Sequence, residues 1–158
     1  MTTGLVERIG LFVEELACLE PAVLSGDDCR VLAEQLAVVS KACAAAGARV
    51  AARAAACGAH RHSGYRDAEQ WLARATGTTA ADAAAALEVA AALQHCPATK
   101  AALVGGSLSL AQAREITRAE AVCRGSESEL VSVATGSDVK TLRDAARSVR
   151  LNAVDVEV

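Results

Sequence analysis

The chain has 158 residues and a formal charge of -3, with 16 basic against 19 acidic side chains, a balance that excludes the strongly basic surface of a protein gripping duplex DNA unaided. It is 53% apolar yet only 2% aromatic, and a folded domain of this length buries roughly 70% of its unfolded surface, enough to dispense with metals and disulfides. Much of the apolar share is alanine, the best helix former and a small one, so the expected fold is all-α: a multi-helix bundle of closely approaching helices.

Leu5, Ile9, Phe12, Leu16 and Leu19 are spaced four, three, four and three, which predicts an amphipathic first helix that Pro21 ends. Glu7, Glu14 and Glu15 occupy the stretch where a signal peptide needs a basic region followed by an unbroken apolar one. No apolar run of membrane-spanning length is read either, so a cytoplasmic protein with no membrane partner is expected. Ser25, Gly26, Asp27 and Asp28 then read as a loop and N-cap, with carboxylates where the helix dipole favours them.

The second helix is expected from about 28 to 57. Cys29, Leu32, Leu36, Val39, Cys43, Ala46, Val50, Arg53 and Cys57 alternate on heptad a and d positions. Such a helix would be roughly 45 Å long, against a radius of gyration of about 15 Å for a compact domain of this size. It therefore either spans the molecule or projects toward a partner, unless Gly47 bends or breaks it. Packing on the first helix is expected, and Leu32, Leu36, Val39, Cys43 and Val50 are assigned as the seam of a homodimer. The cysteines of the seam are read as small apolar core residues rather than reactive thiols. If the seam pairs with a second copy, Cys43 or Cys57 could crosslink under oxidation.

Six cysteines without a Cys-x-x-Cys pair do not make a secreted disulfide scaffold. Cys57, His60 and His62 are close enough in sequence to suggest metal ligands, but a fourth ligand is missing nearby. The segment 58–64 is accordingly expected to be a solvated loop, and no metal or cofactor is assigned. Residues 48–78 are the one basic stretch, with five basic and two acidic side chains, net +3; residues 1–47 and 79–158 sum to -4 and -2.

Tyr65, Ala68, Trp71, Leu72 and Ala75 predict a short amphipathic helix closed by Gly77. Thr79 with Asp82 opens an alanine-rich helix to about Gln94. Pro97 starts a short helix to about Val104, which Gly105-Gly106 breaks. Ser109 and Gln112 form a capping box ahead of Leu110, Ala113, Ile116 and Ala119. Ser126 with Glu129 starts the next helix, and Ser137 or Asp138 the last, with Val139, Leu142, Ala146 and Val149 inside. One helical domain is expected over 1–150. Residues 151–158 read as a mobile tail or the start of a truncated downstream region.

Asp67-Ala68-Glu69-Gln70-Trp71-Leu72-Ala73-Arg74-Ala75-Thr76-Gly77, with Ala83 to Leu93 and Cys96-Pro97 through Gly105-Gly106-Ser107-Leu108-Ser109-Leu110-Ala111-Gln112-Ala113-Arg114-Glu115-Ile116, resembles domain of unknown function 222. That domain is the helical N-terminal region of actinobacterial proteins related to HNH endonucleases, and the wording is similar to the mycobacterial 13E12 repeat proteins. The resemblance covers about residues 5–150. It implies association with DNA metabolism or mobile elements and carries over no catalytic residue, because His60, His62 and His95 are the only histidines and none stands in an HNH context.

The expected function is a noncatalytic module, homo-oligomeric, that helps position an HNH-endonuclease-related protein on DNA. The alternative is a structural protein-interaction module without nucleic acid affinity. Arg49, Arg53, Arg61, Arg66 and Arg74 are the candidate phosphate contacts, since such contacts need cations on one face. Arg114 and Arg118 join them if the two helices of Pro97–Val122 act as a helix-turn-helix, the competing reading being a structural helical hairpin.

Overall fold

The computed structural model describes residues 2–156, and among them the chain is all-α: nine helices and no strand. They are α1 (Thr3–Ala17), α2 (Gly26–Ala56), α3 (Ala59–His62), α4 (Ala68–Thr76), α5 (Ala80–Ala92), α6 (Pro97–Val104), α7 (Leu110–Val122), α8 (Glu127–Gly136) and α9 (Val139–Val156). The chain forms two compact units, Met1–Leu36 and Ala37–Val158.

The first unit holds α1, a short 3-10 turn at Pro21–Val23 and the start of α2. Ser25 accepts from the backbone N–H of Asp28 at 3.1 Å and donates to the Asp28 carboxylate at 2.7 Å, capping α2 as the sequence suggests. The expected packing of α1 does not bury it: no residue of α1 is buried. Leu24, Cys29, Leu32 and Leu36 are half-buried, whereas Leu5, Val6, Ile9, Leu11 and Val13 stay more than half exposed.

Helix α2 runs unbroken through Gly47 for 31 residues, about 46 Å at the α-helical rise. By length and composition it is also long and apolar enough to cross a membrane, with an 18-residue stretch of mean hydropathy 1.3, of which 11% is buried. The sequence reading found no run of that length because alanines and cysteines, individually only mildly apolar, add up over an uninterrupted helix.

In the second unit α2 turns an alanine face inward. Ala45, Ala48 and Ala51 are buried, while Cys43, Ala46, Val50, Arg53 and Cys57 of the expected seam are exposed. The seam lies on the opposite side of the helix from the face that packs, because residues three and four apart share a face. Cys43 and Cys57 are therefore surface residues and not the core residues expected.

Helix α7 is the centre of this unit and packs against α5, α6, α8 and α9. Leu103, Leu108, Ile116, Leu130 and Leu142 fill the main core with almost no exposure, and Ala113, Ala119 and Ala146 let the helices between them approach. Ala51, Leu72 and Ala83 form a smaller cluster flanked by Trp71 and Leu87. The predicted inner stripe of α9 holds, with Leu142 and Ala146 buried and Val139 and Val149 half-buried. That stripe continues through half-buried Ala153, so the expected tail is helical as far as Val156, and residues 157 and 158 lie outside the described residues.

Local caps fix the helix starts. Thr79 accepts from the Asp82 N–H, Ser109 and Gln112 complete the capping box, and Asp138 accepts from the Thr141 N–H at 2.8 Å. Ser126 makes no side-chain cap; instead the Glu120 carboxylate accepts from the N–H groups of Gly125 and Glu127, each at 2.8 Å, and from the Ser126 hydroxyl at 3.3 Å. Gly106 sits at a φ of +76°, where a Cβ would come within 2.6 Å of the Val38 carbonyl oxygen. The turn between α6 and α7 therefore requires glycine.

Two glycine substitutions should move stability in opposite directions in urea titrations. Gly106→Ala combines left-handed strain with a backbone clash and is expected to cost about 2 kcal/mol or more. Gly47→Ala, with nothing within 4 Å of the added methyl, should gain up to about 1 kcal/mol from helix propensity.

Candidate functional site

The basic cluster lies wholly in the second unit. Arg49 and Arg53 stand one turn apart on α2, Arg61 on α3, Arg66 in the following loop and Arg74 in the last turn of α4. All five are exposed, and among the described residues none of them forms an ion pair. Four consecutive segments thus present solvated guanidinium groups, the form in which arginine meets phosphate.

Arg114 and Arg118 are placed differently. The Arg118 guanidinium donates to both carboxylate oxygens of Glu88, at 3.0 and 3.1 Å, and Arg114 Nε approaches the same carboxylate at 3.7 Å. Glu115, the other acid of this helix, pairs with Arg143 at 3.3 Å and Arg150 at 3.7 Å. Gln112 donates to the Ala134 carbonyl at 2.9 Å and is buried. The would-be recognition helix is a core helix whose Gln112, Glu115 and Arg118 are engaged by neighbours, while Arg114 Nε is buried without a hydrogen bond, so the hairpin reading describes Pro97–Val122. The Arg118 hydrogen bonds hold the Glu88 carboxyl below the usual carboxylate range, helped by the charges of Arg118 and Arg114.

Around Cys57 the expected solvated loop is a single helical turn, α3, and His60 within it is buried at 7% exposure. Its Nδ1 has no hydrogen-bond partner. Cys57 and His62 remain exposed, so the three side chains do not share an environment. No group of three or more potential metal ligands occurs among the described residues. Cys96 is the buried cysteine, and burial pushes its thiol up, with the Glu127 and Glu120 carboxylates adding to the effect. A thiol held protonated is a poor nucleophile.

Of the dimer-seam residues, Leu32, Leu36 and Val39 are half-buried, while Cys43 and Val50 are exposed, Val50 to 70%. Beside Cys43 the second unit has an apolar groove of about 450 Å³, bordered by Cys43 and Gly47 of α2, Ala86 of α5, and Leu110, Ala111 and Arg114 of α7. Sequence reading missed it. The signal was present in the small residues of three separate helices, but their convergence is a tertiary fact.

Comparison of the chain with protein-family models, with curated proteins and with solved structures finds no match.

Two consequences follow for titration and reactivity. Because the Glu88 carboxyl is lowered, its pairing stabilises above the ordinary glutamate pKa of about 4.3 and is lost as pH falls through the lowered value. Both partners are about half exposed, so Glu88→Gln should lower stability at pH 7 by less than about 1 kcal/mol, with the difference closing in acid. The raised Cys96 thiol works in the other sense: its contribution is present below the ordinary thiol pKa of about 8.5 and is lost as pH rises through the raised value. In an alkylation time course read by mass spectrometry at pH 8, Cys18 and Cys57 should react readily, whereas Cys96 should react only on unfolding.

Proposed function

We propose that this chain is a noncatalytic helical module of an HNH-endonuclease-related protein, which oligomerises and helps hold its protein on DNA. The observation that carries the reading is the charge arrangement in the second unit. Among the described residues Arg49, Arg53, Arg61, Arg66 and Arg74 are exposed and form no ion pair, while Arg114, Arg118, Arg143 and Arg150 are engaged with glutamates. Cations left without intramolecular partners are available to phosphate oxygens, and such contacts fix register without reading bases. The sequence resemblance to domain of unknown function 222 supports the same setting.

The modest charge limits how the module works. Phosphate contacts release counterions and supply affinity in proportion to their number. Five arginines on one chain give weak, sequence-independent binding, which doubling in an oligomer strengthens through effective concentration. Chemistry is assigned elsewhere in the larger protein, because the buried Cys96 and the paired Glu88 and Glu115 supply no activated nucleophile and no acid and base facing one another. A second reading, a protein-interaction module without nucleic acid affinity, is favoured by the exposed apolar residues of α1 and α2.

Gel-shift titrations of duplex DNA over a salt series separate the two. Retardation that weakens as salt rises is expected, with Arg49→Ala combined with Arg53→Ala reducing affinity several-fold and the salt slope by about 2, while Arg118→Ala changes neither. Absence of a shift at low salt leaves the interaction-module reading.

A further inference from the structure

Helix α1 is a structure without sufficient internal support. It has 15 residues and none is buried, it contains Gly4 and Gly10, and isolated helices of about 12–15 residues are marginal in water even for better helix formers. Leu5, Val6, Ile9, Phe12, Val13 and Leu16 nonetheless fall within one broad face, with Glu7, Glu14 and Glu15 on the other. The exposed portions of these six residues amount to on the order of 600 Å², most of the roughly 800 Å² that is one partner's share of a stable protein interface. An apolar face of that extent on a soluble chain marks a contact surface.

The second unit holds the complementary feature. Its groove of about 450 Å³ is lined mostly by small side chains and a glycine, with Leu72 and Leu110 alongside and both Asp82 and Arg114 on its border. The volume is enough to take several aliphatic side chains projecting from one face of a helix, the way amphipathic helices are recognised in grooves. Charge selects which surfaces meet. The unit Met1–Leu36 carries two basic and seven acidic side chains, net -5, and the unit Ala37–Val158 carries fourteen basic and twelve acidic, net +2. Apposing the N-terminal units of two copies sets -5 against -5, whereas placing the N-terminal unit of one copy on the second unit of the other sets -5 against +2. Complementary potentials favour the second arrangement.

We propose that α1 of one copy docks its Leu5, Ile9, Phe12 and Leu16 face into the groove of a second copy, two chains thereby exchanging their N-terminal helices. The proposal rests on the oligomerisation part of the function proposed above and names the surfaces that perform it. In that arrangement Glu7, Glu14 and Glu15 stay on the solvent side of the docked helix, and Cys43, which borders the groove, becomes covered by the partner.

The test is the mass of the full chain by light scattering after size exclusion, at several micromolar concentrations, for the wild type, Ile9→Glu and Ala111→Trp. Both substituted residues are exposed, so circular dichroism and the urea midpoint should show each variant folded. A wild-type dimer that both variants convert to monomer is expected, with Cys43 alkylated faster in Ile9→Glu than in the wild type. A dimer that Ile9→Glu dissociates and Ala111→Trp does not would place α1 outside the groove and overturn the proposal. A dimer untouched by both variants overturns it while leaving oligomerisation standing. A wild type that is monomeric throughout removes both, and if that monomer sediments with phosphatidylcholine vesicles through α1, a lipid surface is the occupant instead.

Discussion

The small volume of alanine is the constraint on which the second unit depends. Helices lined by alanine approach closely, so backbone and Cβ atoms make the contacts that larger side chains make elsewhere. The strategy works where a few large residues complete the filling: Leu103, Leu108, Ile116, Leu130 and Leu142 occupy the spaces that Ala113, Ala119 and Ala146 leave around α7. Where the alanines of α2 and α5 face one another beside α7, with Leu72 and Leu110 only at the border, the same composition leaves an open apolar groove. Core and groove are two outcomes of one choice of side chain.

Helix α2 carries this to its consequence for assembly. Its alanine face is the inward one in the second unit, and its larger apolar residues, Val50 among them, face outward. In an isolated globular protein the larger apolar residues gain more by burial, by roughly 25 cal/mol for each Å² removed from water. An arrangement that buries the small ones and leaves Val50 exposed forgoes part of that gain, which the proposed assembly would recover. The N-terminal unit shows the same imbalance more strongly, since α1 exposes residues from Leu5 to Leu19. Polar closure points the other way around α7, where Gln112, Arg118, Glu115 and Glu120 each satisfy a neighbour and leave little for an external ligand. Under the proposed function, recognition falls to the exposed arginines of α2 to α4, which pair with no carboxylate among the described residues, and to apolar surface.

Much of the fold was legible because its signals are local. Helix caps at Thr79, Ser109 and Asp138 depend on residues three apart, and the stops at Gly77 and Gly106 on backbone conformations that glycine alone adopts cheaply. The length of α2 was legible, although the helix starts two residues earlier than expected and Gly47 does not interrupt it. The face of α2 was misjudged for the cysteines because two stripes compete on one helix. The heptad pattern picks out the larger residues, and only the tertiary neighbours decide that Ala45, Ala48 and Ala51 point inward. Ser126 is the N-cap position of α8 as read, but its side chain makes no cap bond, and Glu120, on the preceding helix, accepts from the backbone there instead. The burial of His60 and the convergence of Arg114 and Arg118 on Glu88, 26 and 30 residues away, likewise arise from packing that no short window contains. The candidate arginines were found from composition, and the structure divides them into exposed and engaged sets.

In the proposed assembly the second unit is self-sufficient and the N-terminal helix gains its burial from another copy. Hydrogen exchange followed across a protein dilution series tests this most directly. Amides of α7 should keep the same strong protection at every concentration, while those of α1 should be protected at high concentration and lose protection on dilution. Protection of α1 that is independent of concentration, or α7 amides that open together with α1, would contradict it.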